Sequence, residues 1–285
     1  MKICLAAPLN RGAFGVSVLL KLQKMRHQVI PFDYRACIQD VGQAEMNKFF
    51  VQAQDKCDLT LVIKGESIDP ATLKHPAAIW FTDDPARYPW ADKLGEAYDV
   101  KYAVRPSNVF KYLPIGVDMD VHKPVAANPI HLVGFAGTGR PERTELIRHL
   151  WKKYQIQVHG NSWNPAAPYF KGKAIYNEDL NQFYSSLSFV FNVSSFGELN
   201  SRILETMSIG CSVLLTNYSK EVGSYFRHGQ HLFFYNDIEE LDEILSNLPT
   251  EAKLAAIRKR AREAVMNGHT IEKRLEQILK DVGEL

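Results

Sequence analysis

The sequence is short of the features that would settle its class at once. Its cysteines number four, Cys4, Cys37, Cys57 and Cys211, and none forms a Cys-x-x-Cys pair. That excludes a disulfide-stapled miniprotein and a cysteine zinc knuckle, and the apolar surroundings predict reduced, buried thiols. An excess of either charge is also missing. Lys and Arg total 34 against 32 Asp and Glu, a net of +2, so no global field commits the chain to nucleic acid or to an anionic membrane. No window approaches the roughly 18 uninterrupted apolar residues of a spanning helix. The first apolar run ends at Pro8 and Asn10-Arg11-Gly12, too short for a signal segment, and is expected to be a first strand of a cytoplasmic protein with no integral membrane association. Low-complexity segments and evident internal repeats are lacking too.

What is present is a globular composition: 46% hydrophobic, 23% charged and 11% aromatic residues. At roughly 150 residues per domain, 285 residues predict about two domains. Short apolar runs at 3–7, 28–32, 58–63, 77–81, 100–104 and 109–115 read as strands, with helical patterns at 16–25 and 41–53 between the first of them. Apolar on both faces, such runs predict a parallel sheet covered by helices. A polar, proline-marked stretch over 116–129 reads as the linker. A second alternation follows: strands 130–136, 156–159, 189–193 and 212–216, helices 143–154, 177–187 and 199–209, then helix from Ile238 to the end. Two Rossmann-like halves in tandem result.

Three segments stand where such sheets hold ligands. Asn10-Arg11-Gly12-Ala13-Phe14-Gly15 joins the first strand to the first helix, and Gly12 suits either a ligand-facing loop or an ordinary tight turn; the full dinucleotide fingerprint is absent. Gly134-Phe135-Ala136-Gly137-Thr138-Gly139-Arg140-Pro141-Glu142-Arg143 repeats the arrangement, with Gly137 in the turn and Arg140 and Arg143 beside a helix start that suits a diphosphate. No Gly-Lys-Ser/Thr follows, so it is not a P-loop. In Ser195 to Gly210, helical spacing puts Leu199, Ile203, Leu204 and Met207 on one side and Glu198, Ser201, Arg202 and Glu205 on the other, with the arginine between two carboxylates. A surface salt-bridge triad is the plain alternative, but the face begins directly after a buried strand.

Asn200-x-Arg202-x-x-Glu205, then Gly210 and a strand ending Leu214-Leu215-Thr216, resembles the donor-binding core of the CgeB-like glycosyltransferases of the GT-B fold. Other pieces align in order: Leu113-Pro114-Ile115-Gly116-Val117-Asp118 with Pro124, Val133-Gly134-Phe135-Ala136-Gly137 with Arg143, Tyr225-Phe226 with Gly229, Tyr235-Asn236-Asp237 with Glu240-Leu241, and His269-Thr270 with Arg274. The resemblance spans about residues 110–280. It implies an α/β GT-B protein, two Rossmann-like domains facing a cleft with C-terminal helices: an acceptor-side domain over 1–120, a nucleotide-sugar-binding domain over 121–268, and a helix over 269–285 packing back on the first. By the same resemblance Glu205 holds the donor ribose hydroxyls, while Arg143, Arg202 and backbone near Gly197 contact the diphosphate, with Asn200 in the same motif. Arg140 is added from charge and position. Glu198 precedes Glu205 at a spacing one residue shorter than in related retaining enzymes. Trp163 and Tyr176 are candidates to stack on a base, although core packing is the commoner use of such rings.

In the first half, Ile79-Trp80-Phe81-Thr82-Asp83-Asp84-Pro85 resembles a Trp-x-x-Asp pattern of the group and offers Asp83 as the base that deprotonates an acceptor hydroxyl. An N-cap by Asp84 ahead of Pro85 fits equally. Lys64-Gly65-Glu66 supplies a rival base, Glu66, and a phosphate partner, Lys64. Asp118-Met119-Asp120 reads as a chance Asp-x-Asp string in the linker, and His122, His131, His149, His159, His228 and His231 have no zinc spacing, so no metal is expected. The expected function is transfer of a sugar from a nucleotide-diphosphate sugar, a co-substrate rather than a cofactor, to an acceptor hydroxyl on a glycan, protein or small molecule, modified DNA remaining open. The alternatives are a sugar-nucleotide epimerase of the same architecture and a non-catalytic nucleotide-sugar-binding protein.

Overall fold

The computed structural model describes residues 1–127, 131–194 and 196–285. Asn128, Pro129 and Ile130, where the expected linker meets the expected strand, and Ser195 lie outside the described residues. The chain forms two compact units, one of residues 1–116 with 271–285 and one of 117–270.

Unit 1 is built on six parallel strands, β1 (Lys2–Ala6), β2 (Gln28–Phe32), β3 (Leu59–Ile63), β4 (Ala77–Phe81), β5 (Val100–Ala103) and β6 (Lys111–Tyr112), in the order β2-β1-β3-β4-β5-β6. Every residue of β3 and β4 is buried, because helices cover both faces. Period-two alternation divides the side chains between two cores. Ile3, Leu5, Leu61 and Trp80 face one with Val18 and Leu22 of α1 (Phe14–Lys24), whereas Cys4, Ala6, Val62 and Phe81 face the other with Tyr34, Met46 and Phe50. The helix expected over 41–53 is α3 (Gln43–Gln54), and a helix not foreseen, α2 (Tyr34–Val41), precedes it. Gly42 separates the two at φ 82°, and Asp33 caps α2 by accepting the N–H groups of Arg35 and Ala36. A short helix, α4 (Ala91–Glu96), follows β4. Only two residues of the run at 109–115 pair as strand: Ser107 Oγ accepts the N–H groups of Val109 and Phe110 in a turn, and Pro114 has none to donate.

Unit 2 repeats the scheme with β7 (His131–Ala136), β8 (Gln157–His159), β9 (Phe170–Gly172), β10 (Leu187–Asn192), β11 (Val213–Asn217) and β12 (Phe233–Tyr235), all parallel, in the order β12-β11-β10-β7-β8-β9. Its helices are α5 (Pro141–Tyr154), α6 (Asn177–Ser185), α7 (Ser201–Ile209), α8 (Lys220–Tyr225), α9 (Ile238–Ser246) and α10 (Glu251–Gly268). Helix α7 starts two residues later than the apolar spacing suggests, since Asn200 Oδ1 accepts the Ile203 N–H as its cap, and it stops at Gly210 with φ 66°. The C-terminal stretch is not one helix, being interrupted around Pro249 and again at His269 and Thr270 before α11 (Ile271–Gly283). Among the described residues no helix is long and apolar enough to cross a membrane.

Helix α11 belongs to unit 1. Ile271, Leu275, Ile278 and Val282 recur every three or four residues and are buried in the core that holds Val18 and Leu22 of α1. The buried ammonium of Lys21 meets Glu272 at 3.0 Å, and Arg274 Nε donates to the Pro114 carbonyl at 3.0 Å. Truncating a fully buried leucine here removes its transfer energy and leaves a cavity. Leu275→Ala is therefore expected to destabilise unit 1 by about 2–5 kcal/mol, read from urea unfolding. A loss below about 0.5 kcal/mol, the size typical of surface substitutions, would show that α11 does not close this core.

Candidate functional site

In unit 2 the chain runs outward from β7 through β8 to β9 and returns on the opposite side of β7 as β10. Loops leaving the carboxyl ends of β7 and β10 therefore diverge, which opens the crevice where doubly wound sheets hold ligands. Two arginines from two helix starts enter it. Arg202, in the first turn of α7, donates from Nε to the Ala136 carbonyl at 2.7 Å and from Nη1 to Asn192 Oδ1 at 2.6 Å. Its guanidinium carbon lies 4.3 Å from the centre of the Phe135 ring. Arg143, in the first turn of α5, donates to the carbonyls of Thr138 (2.9 Å) and Val193 (3.3 Å) and lies 5.6 Å from the same ring.

Neither guanidinium has an ion pair among the described residues. Arg143 Nε is buried with no hydrogen-bond partner among them. Burial, then the positive charges of Arg202 and Arg140, push the Arg143 guanidinium down to about 10. Carboxylates, Glu198 among them, oppose this only in part. The crevice thus holds unbalanced positive charge with N–H groups to spare.

The turn after β7 is shaped to this arrangement. A Cβ on Gly137 would collide with Arg202 Nη2, so a larger residue there would push the guanidinium out of this position. Gly137 N–H donates to the His159 carbonyl (2.8 Å), and its own carbonyl accepts from Trp163 Nε1 (2.7 Å). Trp163 is buried edge-on to Phe135, so it props the turn and is not placed to stack on a base. Tyr176 is 44% exposed at the N-cap of α6. Arg140 occupies the N-cap of α5 with an exposed side chain.

The triad expected on the α7 face does not form, because the cap at Asn200 places Glu198 outside the helix. Glu198 accepts instead from Ser194 Oγ at 3.0 Å, in a loop where Gly197 turns with φ 69° and Glu221 accepts the Leu199 N–H. Glu205 stays on the Arg202 side of α7, half-buried, with His122 Nε2 at 3.9 Å. Asn192 and His122 were not among the sequence candidates. The one available signal was a lone amide closing the apolar run of β10.

Unit 1 reverses between β1 and β3, and its candidates sit in the loops that follow β1, β3 and β4. Gly12 turns with φ 78° between β1 and α1. Asp83 meets Lys64 Nζ at 2.8 Å. Glu66 accepts from Arg35 Nε (2.6 Å) and from the Tyr34 hydroxyl (2.9 Å), which burial and then Glu66 push upward in pKa. Asp84 caps the turn at Pro85–Arg87 by accepting the Ala86 N–H, which separates the two aspartates by role. Asp118 accepts the N–H groups of Asp120 and Val121 and so caps its own turn. Among the described residues no three His, Cys, Asp or Glu side chains are grouped to hold a metal ion.

Residues 140–280 match the family described as glycosyl transferase-like. Among solved structures the chain is similar to Anabaena HepE in complex with UDP and glucose, at 15% identity over 100% of both chains with a TM-score of 0.72. It is similar also to an α-glucosyltransferase in complex with UDP-glucose and DNA containing an abasic site, at 13% identity over 99% of both chains (TM-score 0.73). A third is sucrose-phosphate synthase from Thermosynechococcus elongatus, at 12% identity over 100% of this chain and 99% of that one (TM-score 0.70). A comparison with curated proteins found no match. At these identities the likeness is one of fold, and the fold is the two-domain α/β GT-B class of glycosyltransferase structures.

Unbalanced guanidinium charge of this kind should bind a compact polyanion. Pyrophosphate is expected to raise the melting temperature of the wild-type protein, and Arg143→Ala to remove most of that rise. An equal rise in both proteins would place the anion elsewhere.

Proposed function

We propose that the protein is a glycosyltransferase that binds a UDP-sugar in unit 2 and moves the sugar to an acceptor hydroxyl. The observation carrying this reading is the pair of uncompensated arginines at the β7/β10 reversal of a GT-B fold. A nucleotide diphosphate leaves with developing negative charge, and N–H donors already aimed at it stabilise that charge without reorganising. Arg143 and Arg202 supply charge-assisted donors, and the N-terminus of α7 adds its dipole. Two cations so placed can neutralise the leaving group without a bound metal. Glu205 is an acceptor-only carboxylate with two oxygens, suited to paired ribose hydroxyls. The choice of uridine is supported by HepE and the α-glucosyltransferase, whose structures hold UDP or UDP-glucose. The match over residues 140–280 and the Asn200-x-Arg202-x-x-Glu205 motif support a CgeB-like member.

Asp83 is the proposed base in unit 1, since Asp84 is occupied as a cap and Glu66 is bound by both Arg35 and Tyr34. Lys64 pairs with the Asp83 carboxylate and must yield part of that contact when an acceptor hydroxyl arrives.

UDP at about 100 times its dissociation constant should add roughly 2.7 kcal/mol of stability, a readily measured thermal shift. Glu205→Ala is expected to weaken UDP binding tenfold or more, because hydrogen bonds to a charged acceptor contribute about 1.5–3 kcal/mol, with little change in the melting temperature of the free protein. Sugar transfer from UDP-sugars is expected to persist in EDTA and to fall at least 100-fold in Asp83→Asn, the lower range for a lost general base. Unaltered UDP affinity in folded Glu205→Ala would defeat the ribose assignment, and activity abolished by EDTA would defeat metal-free neutralisation.

A further inference from the structure

Arg202 can read an anion only if its planar guanidinium is held in one orientation, and the side chain that holds it has no role in the reading above. Asn192, the last residue of β10, is fully buried. Its Oδ1 accepts from Arg202 Nη1 at 2.6 Å and from Asn200 Nδ2 at 3.4 Å, while its Nδ2 donates to Thr216 Oγ1 at 2.8 Å. The Asn192 carbonyl accepts from the buried hydroxyl of Tyr235 at 2.8 Å. These contacts leave the amide one orientation, because turning it over would face its NH2 against the N–H of Arg202. A single residue therefore ties β11, β12 and the α7 cap to one guanidinium.

The donor count on Arg202 shows what this fixing achieves. Of five N–H groups, Nε–H is used by Ala136 and one Nη1–H by Asn192. Nη2 sits in the space that a Gly137 Cβ would fill, and the buried Tyr184 hydroxyl is hydrogen-bonded to the same guanidinium. Two anchors on a rigid plane fix the direction of the remaining N–H groups. A nucleoside monophosphate is satisfied by one guanidinium, Arg143 or Arg202. A diphosphate presents two phosphoryl groups at a set separation and needs both arginines at once.

We infer that Asn192 is a positioning residue whose amide sets Arg202 for the second phosphoryl group and so determines the preference of the site for nucleoside diphosphate over monophosphate. The inference rests on the donor reading proposed above. Asparagine suits the role because it is neutral: a carboxylate there would pair with Arg202 and consume the charge meant for the ligand.

The test is calorimetric titration of UDP and UMP into the wild-type protein, Asn192→Ala and Asn192→Asp, with melting temperatures recorded for each. The wild type is expected to prefer UDP over UMP at least tenfold. Asn192→Ala should reduce that ratio about tenfold while leaving the UMP dissociation constant within threefold. Asn192→Asp keeps the shape and the Arg202 contact, so it carries the test if the alanine variant does not fold, and it should reduce the ratio at least as far. A purely structural role would lower the melting temperature or weaken both nucleotides together, leaving the ratio intact, and that result overturns the inference while the donor reading stands. A wild-type protein that binds neither nucleotide overturns the donor reading and this inference with it.

Discussion

The two guanidinium groups of Arg143 and Arg202 share the Phe135 ring, and the rest of the unit 2 crevice is arranged around that crowding. Like unit charges within about 10 Å repel by on the order of 2 kcal/mol at an effective dielectric of ~20. Cation–π contact with one ring returns about 0.5–2 kcal/mol for each, and carbonyls at Ala136, Thr138 and Val193 supply further acceptors. The absence of a Cβ at Gly137 and the bracing by Trp163 make the turn compatible with this cluster. The remaining deficit is one of negative charge, which the proposed diphosphate ligand would supply.

Unit 1 is also an open parallel sheet, but it reverses between its first and third strands rather than its first and fourth, and it takes the opposite electrostatic solution. The charged side chains that follow its strands pair with one another: Lys64 with Asp83, Arg35 with Glu66, and Arg105 within 3.5 Å of Asp84. A doubly wound sheet therefore fixes where ligands are held and not which ligands. The unbalanced crevice suits a polyanion; the balanced one suits a neutral hydroxyl that must meet a carboxylate.

Much of the architecture was legible in the sequence because strands covered on both faces read as apolar runs, as β3 and β4 show. Boundaries were less so. The eight-residue α2, which ends at Gly42, was not read from the sequence, and the three-residue strands β9 and β12 are too short for a period to show. At the candidate site, the residue types around Gly137, Arg143 and Arg202 were legible, but the partners of Arg202 were not. Glu198 and Glu205 are near it in sequence, yet its hydrogen bonds go to Ala136 and Asn192. Those contacts depend on β10 returning beside β7, a property of strand order that local spacing does not encode. Trp163 shows the converse, a ring whose strand-end position suggested a ligand and whose indole N–H is committed to the backbone.

On the proposed function, the unbalanced arginine charge at the β7/β10 reversal binds a nucleotide diphosphate. A crystal structure of the protein grown with UDP tests it most directly. The account expects phosphate oxygens within hydrogen-bond distance of Arg202 Nη2 and of the Arg143 guanidinium, with the ribose at Glu205. UDP bound with its phosphates away from both arginines would contradict it.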